Sequence, residues 1–196
     1  MKNAKVKRMT GIALLIALII VLQFVTSIIP PVGGFSISLV LIPIVLGAAV
    51  YGPGAGSLLG GAFGTIVYIN CVTGADPGGA MVFQANPVLC FLVVMGKGIL
   101  AGWVSGLVYA AMKKWNPHVA ILCAAIVCPL VNTGTFIVCM LTFFKGVLAA
   151  WAGGGDIIAY ILTGFVLFNF VPEMIINIVF GSVGHTIIHV VKKNRI

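Results

Sequence analysis

Long apolar runs follow one another through almost the whole chain, and they constrain its fold more than any other feature of the sequence. Hydrophobic residues make up 61% of the 196 residues and charged residues only 7%, too few polar side chains to cover a water-soluble globule. One helix needs roughly 20 apolar residues to cross a bilayer core of about 30 Å, so this length accommodates about six spans with short connections. The sequence therefore predicts an all-α protein of the cell membrane, formed by a single domain over residues 1–196.

The breaks between apolar runs give the approximate limits of each span. We expect spans at about 9–29, 36–50, 55–70, 88–112, 119–144 and within 156–191. The first is expected to remain as an uncleaved helix, because the Pro/Gly break at residues 30–34 contains no small-x-small cleavage pattern. The segment 71–87 is rich in Gly and Pro and predicts a sizeable loop. The last run is too long for one crossing, and Pro172 predicts its division into a shorter outer segment and a spanning helix that begins near the proline.

Basic residues collect on one side of these six predicted spans. They are Lys2, Lys5, Lys7, Arg8, Lys113, Lys114, Lys192, Lys193 and Arg195. The positive-inside rule assigns this side, and with it both chain termini, to the cytoplasm. The connections left outside carry Lys145, Asp76 and Asp156. Because the basic residues read as topology signals and have no interleaved aromatic residues, the formal charge of +8 does not indicate nucleic-acid binding.

Two glycine stripes and the cysteines favour structural roles. Glycine recurs every four residues in the third and fourth spans, at Gly56, Gly60, Gly64, Gly98, Gly102 and Gly106. Such a stripe lets a neighbouring helix come close, and it predicts helix packing rather than ligand contact.

The five cysteines are odd in number and lack C-x-x-C spacing, and His185 and His189 have no third ligand nearby, so no disulfide framework and no metal site are predicted. No G-x-x-x-x-G-K-[ST] motif occurs, so the chain is not expected to bind ATP by itself, and no cofactor is predicted.

Polar and charged residues within the predicted spans are the strongest functional signal, because such groups are costly in lipid. Counted at about 1.5 Å per residue, Lys97, Asn132 and Asn177 each lie roughly 20 Å or slightly more above the inner end of their spans. Asn169, Glu173 and Asn177 follow at i, i+4 and i+8, so they share one face if the last helix is continuous there. These five residues predict a solute-binding site in the outer half of the membrane.

The same residues allow a structural interpretation. Lys97 could pair with Glu173 and hold two helices together, and Glu173, just after Pro172, could cap the N-terminus of a helix. We favour a binding site because Asn132 and Asn177 place hydrogen-bonding groups at the same depth, which an ion pair would not need.

The order of the sequence segments resembles that of a known family. A basic start is followed by ALLIALIIVLQ, a Pro/Gly break, ISLVLIPIVLGAAVYGPGAGSLLGGAFG, a polar outer loop and a late asparagine-rich helix. In this order the chain resembles the substrate-binding S component of energy-coupling factor (ECF) vitamin transporters. The resemblance implies six helices and a vitamin or precursor bound near the outer surface by helices four to six and loops one, three and five. It also implies a transmembrane coupling subunit and two ATPase subunits in other chains. The family's Ala-x-x-x-Ala motif, which contacts the coupling subunit, corresponds to Ala13 and Ala17.

Within that resemblance, pantothenate is the favoured ligand, because Lys97 suits a carboxylate and Asn132 suits hydroxyl or amide groups. Another vitamin, such as riboflavin, folate or hydroxymethylpyrimidine, is the alternative. A stand-alone secondary transporter would be expected to show an inverted repeat between its halves, and none is evident. An intramembrane enzyme is a weaker interpretation, because Ser182 in GSVGH lacks the G-x-S-x-G setting and His185 lies away from the polar residues.

Overall fold

The fold consists of helices whose order follows the apolar runs. A computed structural model describes residues 2–28 and 38–181, with side chains described for 5–26 and 38–181. The helices are α1 (Lys2–Ile28), α2 (Leu41–Tyr51), α3 (Pro53–Thr73), α4 (Pro77–Ala85), α5 (Pro87–Met112), α6 (Pro117–Phe143), α7 (Lys145–Trp151) and α8 (Ile157–Gly181). Several positions considered above lie outside the described residues, namely the break at 30–34, Ser182, His185, His189, Lys192, Lys193 and Arg195.

Five of the described helices are long and apolar enough to cross a membrane. They are α1 from Lys5 to Thr26, α3, α5, α6 and α8. The helical part of the second predicted span is α2, whose 11 residues extend about 16 Å. Pro43 does not interrupt α2, because it lies in the first turn, where its missing N–H has no partner to lose. The predicted all-helical membrane fold is confirmed.

The two glycine stripes form a close contact between two helices. Helices α3 and α5 cross with Gly60 against Gly98 and Gly56 against Gly102, so that a Cβ added at Gly60 or Gly56 would overlap the backbone carbonyl of its partner. The packing role predicted for these residues is confirmed, and it follows from the absence of side chains at the contact. The same close approach to a neighbouring backbone occurs at the remaining members, Gly64 and Gly106.

The segment predicted as a loop at 71–87 contains helix α4, so that prediction was wrong. Pro77 takes the first helical position, where its fixed φ angle favours a helix start. Val82 is buried in a cluster with Cys90 and Leu148, so tertiary packing compensates for the low helix propensity of Gly78 and Gly79. Glycine and proline content alone indicated a loop because it does not report this burial.

The predicted division of the last segment at Pro172 was also wrong within the described residues. Helix α8 continues through the proline to Gly181. Its turns from Ile161 to Phe170 are wide, of the π type, and the N–H of Val171 bonds to the carbonyl of Val166, five residues back. A wider turn before a proline gives its ring more room, so the helix continues instead of ending.

The described basic residues that the sequence assigned to one side, Lys5, Lys7, Arg8, Lys113 and Lys114, lie at one end of the helix bundle. The guanidinium of Arg8 on α1 donates to the carbonyl of Tyr51, at 3.2 Å, and Pro53 follows closely at the start of α3. A Cβ added at Gly106 would lie 2.7 Å from the Cα of Pro53. The C-terminal part of α5, and Lys113 directly after it, therefore lie at the same end of the bundle as Arg8. This agrees with the predicted one-sided charge distribution, from which the positive-inside rule predicts that this end is cytoplasmic.

Candidate functional site

A cavity of about 710 Å³ lies at the end of the bundle opposite Arg8 and Lys113. Its walls come from the C-terminal part of α3, from α4, from the first half of α5, from the second half of α6 and from α8. Gln23 and Thr26 of α1, Ser38 and Trp151 complete the lining. The volume falls within the range of roughly 300–1,000 Å³ that is usual for sites of small organic ligands.

Four of the five predicted binding residues line this one cavity. Lys97 comes from α5, Asn132 from α6, and Asn169 and Glu173 from α8. Asn177 lies outside the lining: its side chain is buried, and its amide nitrogen donates to the backbone carbonyl of Glu173 at 2.8 Å. The predicted stripe on the last helix therefore faces the cavity at its first two members and packs inside the bundle at the third.

Lys97 does not form the ion pair that the structural interpretation required. Within residues 5–26 and 38–181, no Lys or Arg nitrogen lies within 4.0 Å of an acidic side-chain oxygen. The Lys97 ammonium instead lies 4.7 Å from the ring centroid of Phe136 and 5.9 Å from that of Phe63. An ammonium over an aromatic face gains a modest cation–π attraction. Its charge therefore has no anionic group in direct contact among the described residues.

Glu173 connects α8 to the segment that leads into α2. One carboxylate oxygen accepts a hydrogen bond from the backbone N–H of Ser38 at 3.0 Å. The other oxygen has no partner among the described residues, although the side chain is 2% exposed. Because Glu173 lies inside the continuous helix α8, the interpretation that it caps the start of a helix beginning at Pro172 was wrong.

The polar lining contains buried oxygen atoms that have no hydrogen-bond partner among the described residues. Oxygens without a hydrogen-bond partner in the described part of the chain are Ser38 Oγ, Asn132 Oδ1, Asn169 Oδ1 and Glu173 Oε2. Each buried polar group left unpaired costs about 1–3 kcal/mol. A solute with hydroxyl or N–H donors would pair with these oxygens, while the Lys97 ammonium could meet an anionic group.

A cluster of aromatic rings forms another wall of the cavity, and the sequence did not single it out. Phe136, Trp151 and Tyr160 surround Phe165, with ring centroids 5.5, 5.9 and 5.8 Å from it. The Trp151 indole N–H also donates to the sulfur of Met81 at 3.2 Å, which links α7 to α4. The rings come from three different helices, α6, α7 and α8. Only the packing of these helices shows that the rings meet. A Trp- and Gly-rich segment at residues 149–156, AAWAGGGD, was the one available signal.

Two cysteines belong to the same lining. Cys71 at the end of α3 and Cys90 on α5 face the cavity, and all five cysteines are free thiols. Asp76, which the sequence placed in an outer loop, also lines the cavity.

Ala13 and Ala17 lie on the outward face of α1, far from the cavity lining. Both side chains are exposed, and only 11% of the apolar stretch of α1 is buried inside the bundle. In a membrane such a face contacts lipid or another protein.

Apolar helices that enclose a ligand-sized cavity with charged and amide groups define an integral membrane protein that binds a small solute. Comparison with known families matches residues 7–183 to the ECF transporter, substrate-specific component. The match covers most of the chain, and the chain belongs to this family. It is therefore the substrate-binding subunit of a membrane transporter and not an enzyme, and it is a multi-pass protein of the cell membrane. No curated protein matched the chain.

Proposed function

We propose that this subunit binds pantothenate in the cavity and presents it for ATP-driven import. The observation that carries the proposal is Lys97, a cation in the cavity lining with no acidic side-chain oxygen within 4.0 Å among the described residues. A charge in this position is costly unless an anion compensates it. The carboxylate of a bound solute would supply that anion.

The remaining groups of pantothenate match the lining in kind. The molecule carries a carboxylate at one end, two hydroxyl groups at the other and an amide between them. With the carboxylate at Lys97, the hydroxyl and amide donors are available to Asn132 and Asn169. Glu173 favours this orientation, because its unpaired oxygen accepts from a hydroxyl and would repel a carboxylate.

The aromatic wall supports a second ligand class. Phe136, Trp151 and Phe165 would pack against the planar ring of riboflavin, folate or hydroxymethylpyrimidine. Folate carries carboxylates and would also satisfy Lys97, whereas an uncharged ring would leave Lys97 without a counter-charge. For this reason we place pantothenate ahead of the uncharged ring vitamins.

Import requires energy that this chain does not supply. Family membership implies an ECF module, and we propose that it consists of a transmembrane coupling subunit and two ATPase subunits. We further propose that the coupling subunit packs against Ala13 and Ala17, whose small side chains allow a partner helix to approach closely.

Direct binding of labelled pantothenate to the purified subunit tests the ligand. Riboflavin, folate, hydroxymethylpyrimidine, thiamine and biotin serve as unlabelled competitors. We expect saturable binding that only excess pantothenate displaces, together with uptake into cells that depends on the co-expressed ECF module. An uncharged vitamin as the only effective competitor would contradict the carboxylate argument.

A further inference from the structure

A second concave surface lies on the side of the bundle, away from the cavity. We call it the lateral groove. It is lined by Ile16, Gly54, Ser57, Leu58, Gly61, Ala62, Met95 and Ile99. These residues come from α1, α3 and α5, and the groove shares none of them with the cavity.

The lateral groove is apolar and open to the surroundings of the bundle. Gly54, Gly61 and Ala62 form its floor with small residues, while Leu58 and Ile99 keep 55% and 37% of their surfaces exposed at its edges. A Cβ added at Gly54 would meet no atom within 4 Å, which shows how much space that end offers. In the hydrocarbon region such a depression must be filled by apolar groups, because water is excluded there.

The groove runs inward from the basic end of the bundle. It begins at Gly54, three residues after Tyr51, whose carbonyl accepts from Arg8. The eight helical steps from Gly54 to Ala62 rise about 12 Å along α3. This is the direction that an acyl chain takes from the headgroup level into the membrane.

Two cationic residues of α1 precede the groove on the side of the basic end of the bundle. Lys5 precedes Ile16 by eleven residues, about three helical turns, so both residues lie on the same face of α1. Lys5 is exposed and is about 16 Å nearer the basic end than Ile16. Arg8 donates to Tyr51 and has further N–H donors in its guanidinium group.

We infer that the lateral groove binds an anionic phospholipid, with one acyl chain between α1, α3 and α5 and the phosphate at Lys5 and Arg8. The basic residues lie nearer the headgroup level and the apolar lining lies deeper in the membrane. This is the order of phosphate and acyl chain in a phospholipid. The inference does not depend on which vitamin the cavity binds.

Native mass spectrometry of the detergent-purified subunit, titrated with phosphatidylglycerol or phosphatidylcholine of the same acyl chains, tests this site. Gly61→Phe fills the groove. Gly134→Phe is its matched control, because Gly134 is an open helical glycine on α6 outside both lining sets. Lys5→Gln removes a charge at the mouth, and Lys114→Gln removes an exposed charge in the connection between α5 and α6.

We expect the wild type and Gly134→Phe to retain one phosphatidylglycerol in preference to phosphatidylcholine, and Gly61→Phe to lose it. Lys5→Gln should reduce that preference about fivefold, as one lysine near an anionic lipid contributes, and Lys114→Gln should leave it unchanged. Equal retention of the two lipids by the wild type would overturn the inference. So would a Gly61→Phe variant that keeps its lipid but no longer co-purifies with a coupling subunit, since the groove would then belong to a protein helix.

Discussion

Replacing Lys97 by methionine removes the cavity's cation while keeping most of the side-chain volume. If the ammonium meets the substrate carboxylate, the variant loses a charge-assisted hydrogen bond worth about 1.5–3 kcal/mol. The affinity for pantothenate should then fall roughly 10- to 150-fold. Pantothenyl alcohol, which has a hydroxyl in place of the carboxylate, should lose less than about threefold, because it never had that interaction.

The structure also predicts how the stability of this variant should change. Removing one partner of a buried ion pair costs about 3–5 kcal/mol, because it leaves the other charge unpaired. Lys97 has no such partner within 4.0 Å among the described residues, and its contact with Phe136 is worth about 0.5–2 kcal/mol at most. The thermal midpoint should therefore change little, and the effect should appear in affinity.

Isothermal titration of both ligands, together with thermal unfolding, of the wild type, Lys97→Met, Glu173→Gln and the double variant supplies the measurement. We expect the coupling between Lys97 and Glu173 in the unfolding free energy to stay well below the roughly 3–5 kcal/mol that follows the breaking of a buried ion pair, since no contact within 4.0 Å joins them. A stability loss in each single variant that the double variant repairs would refute the reasoning, and so would equal affinity losses for the acid and the alcohol.

Further predictions concern packing, coupling and topology. Gly60→Ala should lower the thermal midpoint in detergent, with overpacking costing about 1–3 kcal/mol against Gly98, whereas Gly134→Ala should be neutral or stabilising; equal midpoints would contradict the close α3–α5 contact. Ala13→Trp, and likewise Ala17→Trp, should abolish uptake while leaving pantothenate affinity unchanged, and normal uptake would show that this face contacts only lipid. In a cysteine-free background, a cysteine at Gly154 should react with an impermeant thiol reagent outside intact cells and one at Asn116 should not; the reverse pattern would invert the topology.

The class of fold could be predicted from the sequence because it follows from composition and length. A chain with so few charges must use lipid as its solvent, and in lipid the backbone must satisfy its own hydrogen bonds within helices. Close helix packing at the two glycine stripes could also be predicted from the sequence. Glycine at every fourth position defines a helix face without side chains, and such a face allows a close approach whichever helix packs against it. The one-sided distribution of basic residues likewise depends only on the order of spans and loops.

Local composition was a poor guide where tertiary packing opposed it. Helix α4 forms despite Gly78 and Gly79 because Val82 is buried against other helices, and α8 passes Pro172 because its turns widen before the proline. Both outcomes depend on neighbours that are distant in sequence, and propensity is a weak prior against such contacts.

Some features of the candidate site could be predicted from the sequence, and others could not. The cost of charge in lipid singled out Lys97 and Glu173, and helix rise brought Asn132 to their level, so the sequence could predict a polar site of roughly this composition. Only the tertiary structure decided that Lys97 lies against Phe136 instead of a carboxylate, that Asn177 turns to its own helix, and that aromatic rings from three helices form one wall. The physical reason is that helical spacing fixes the depth and face of a residue, whereas its partners depend on how the helices are rotated and packed against one another.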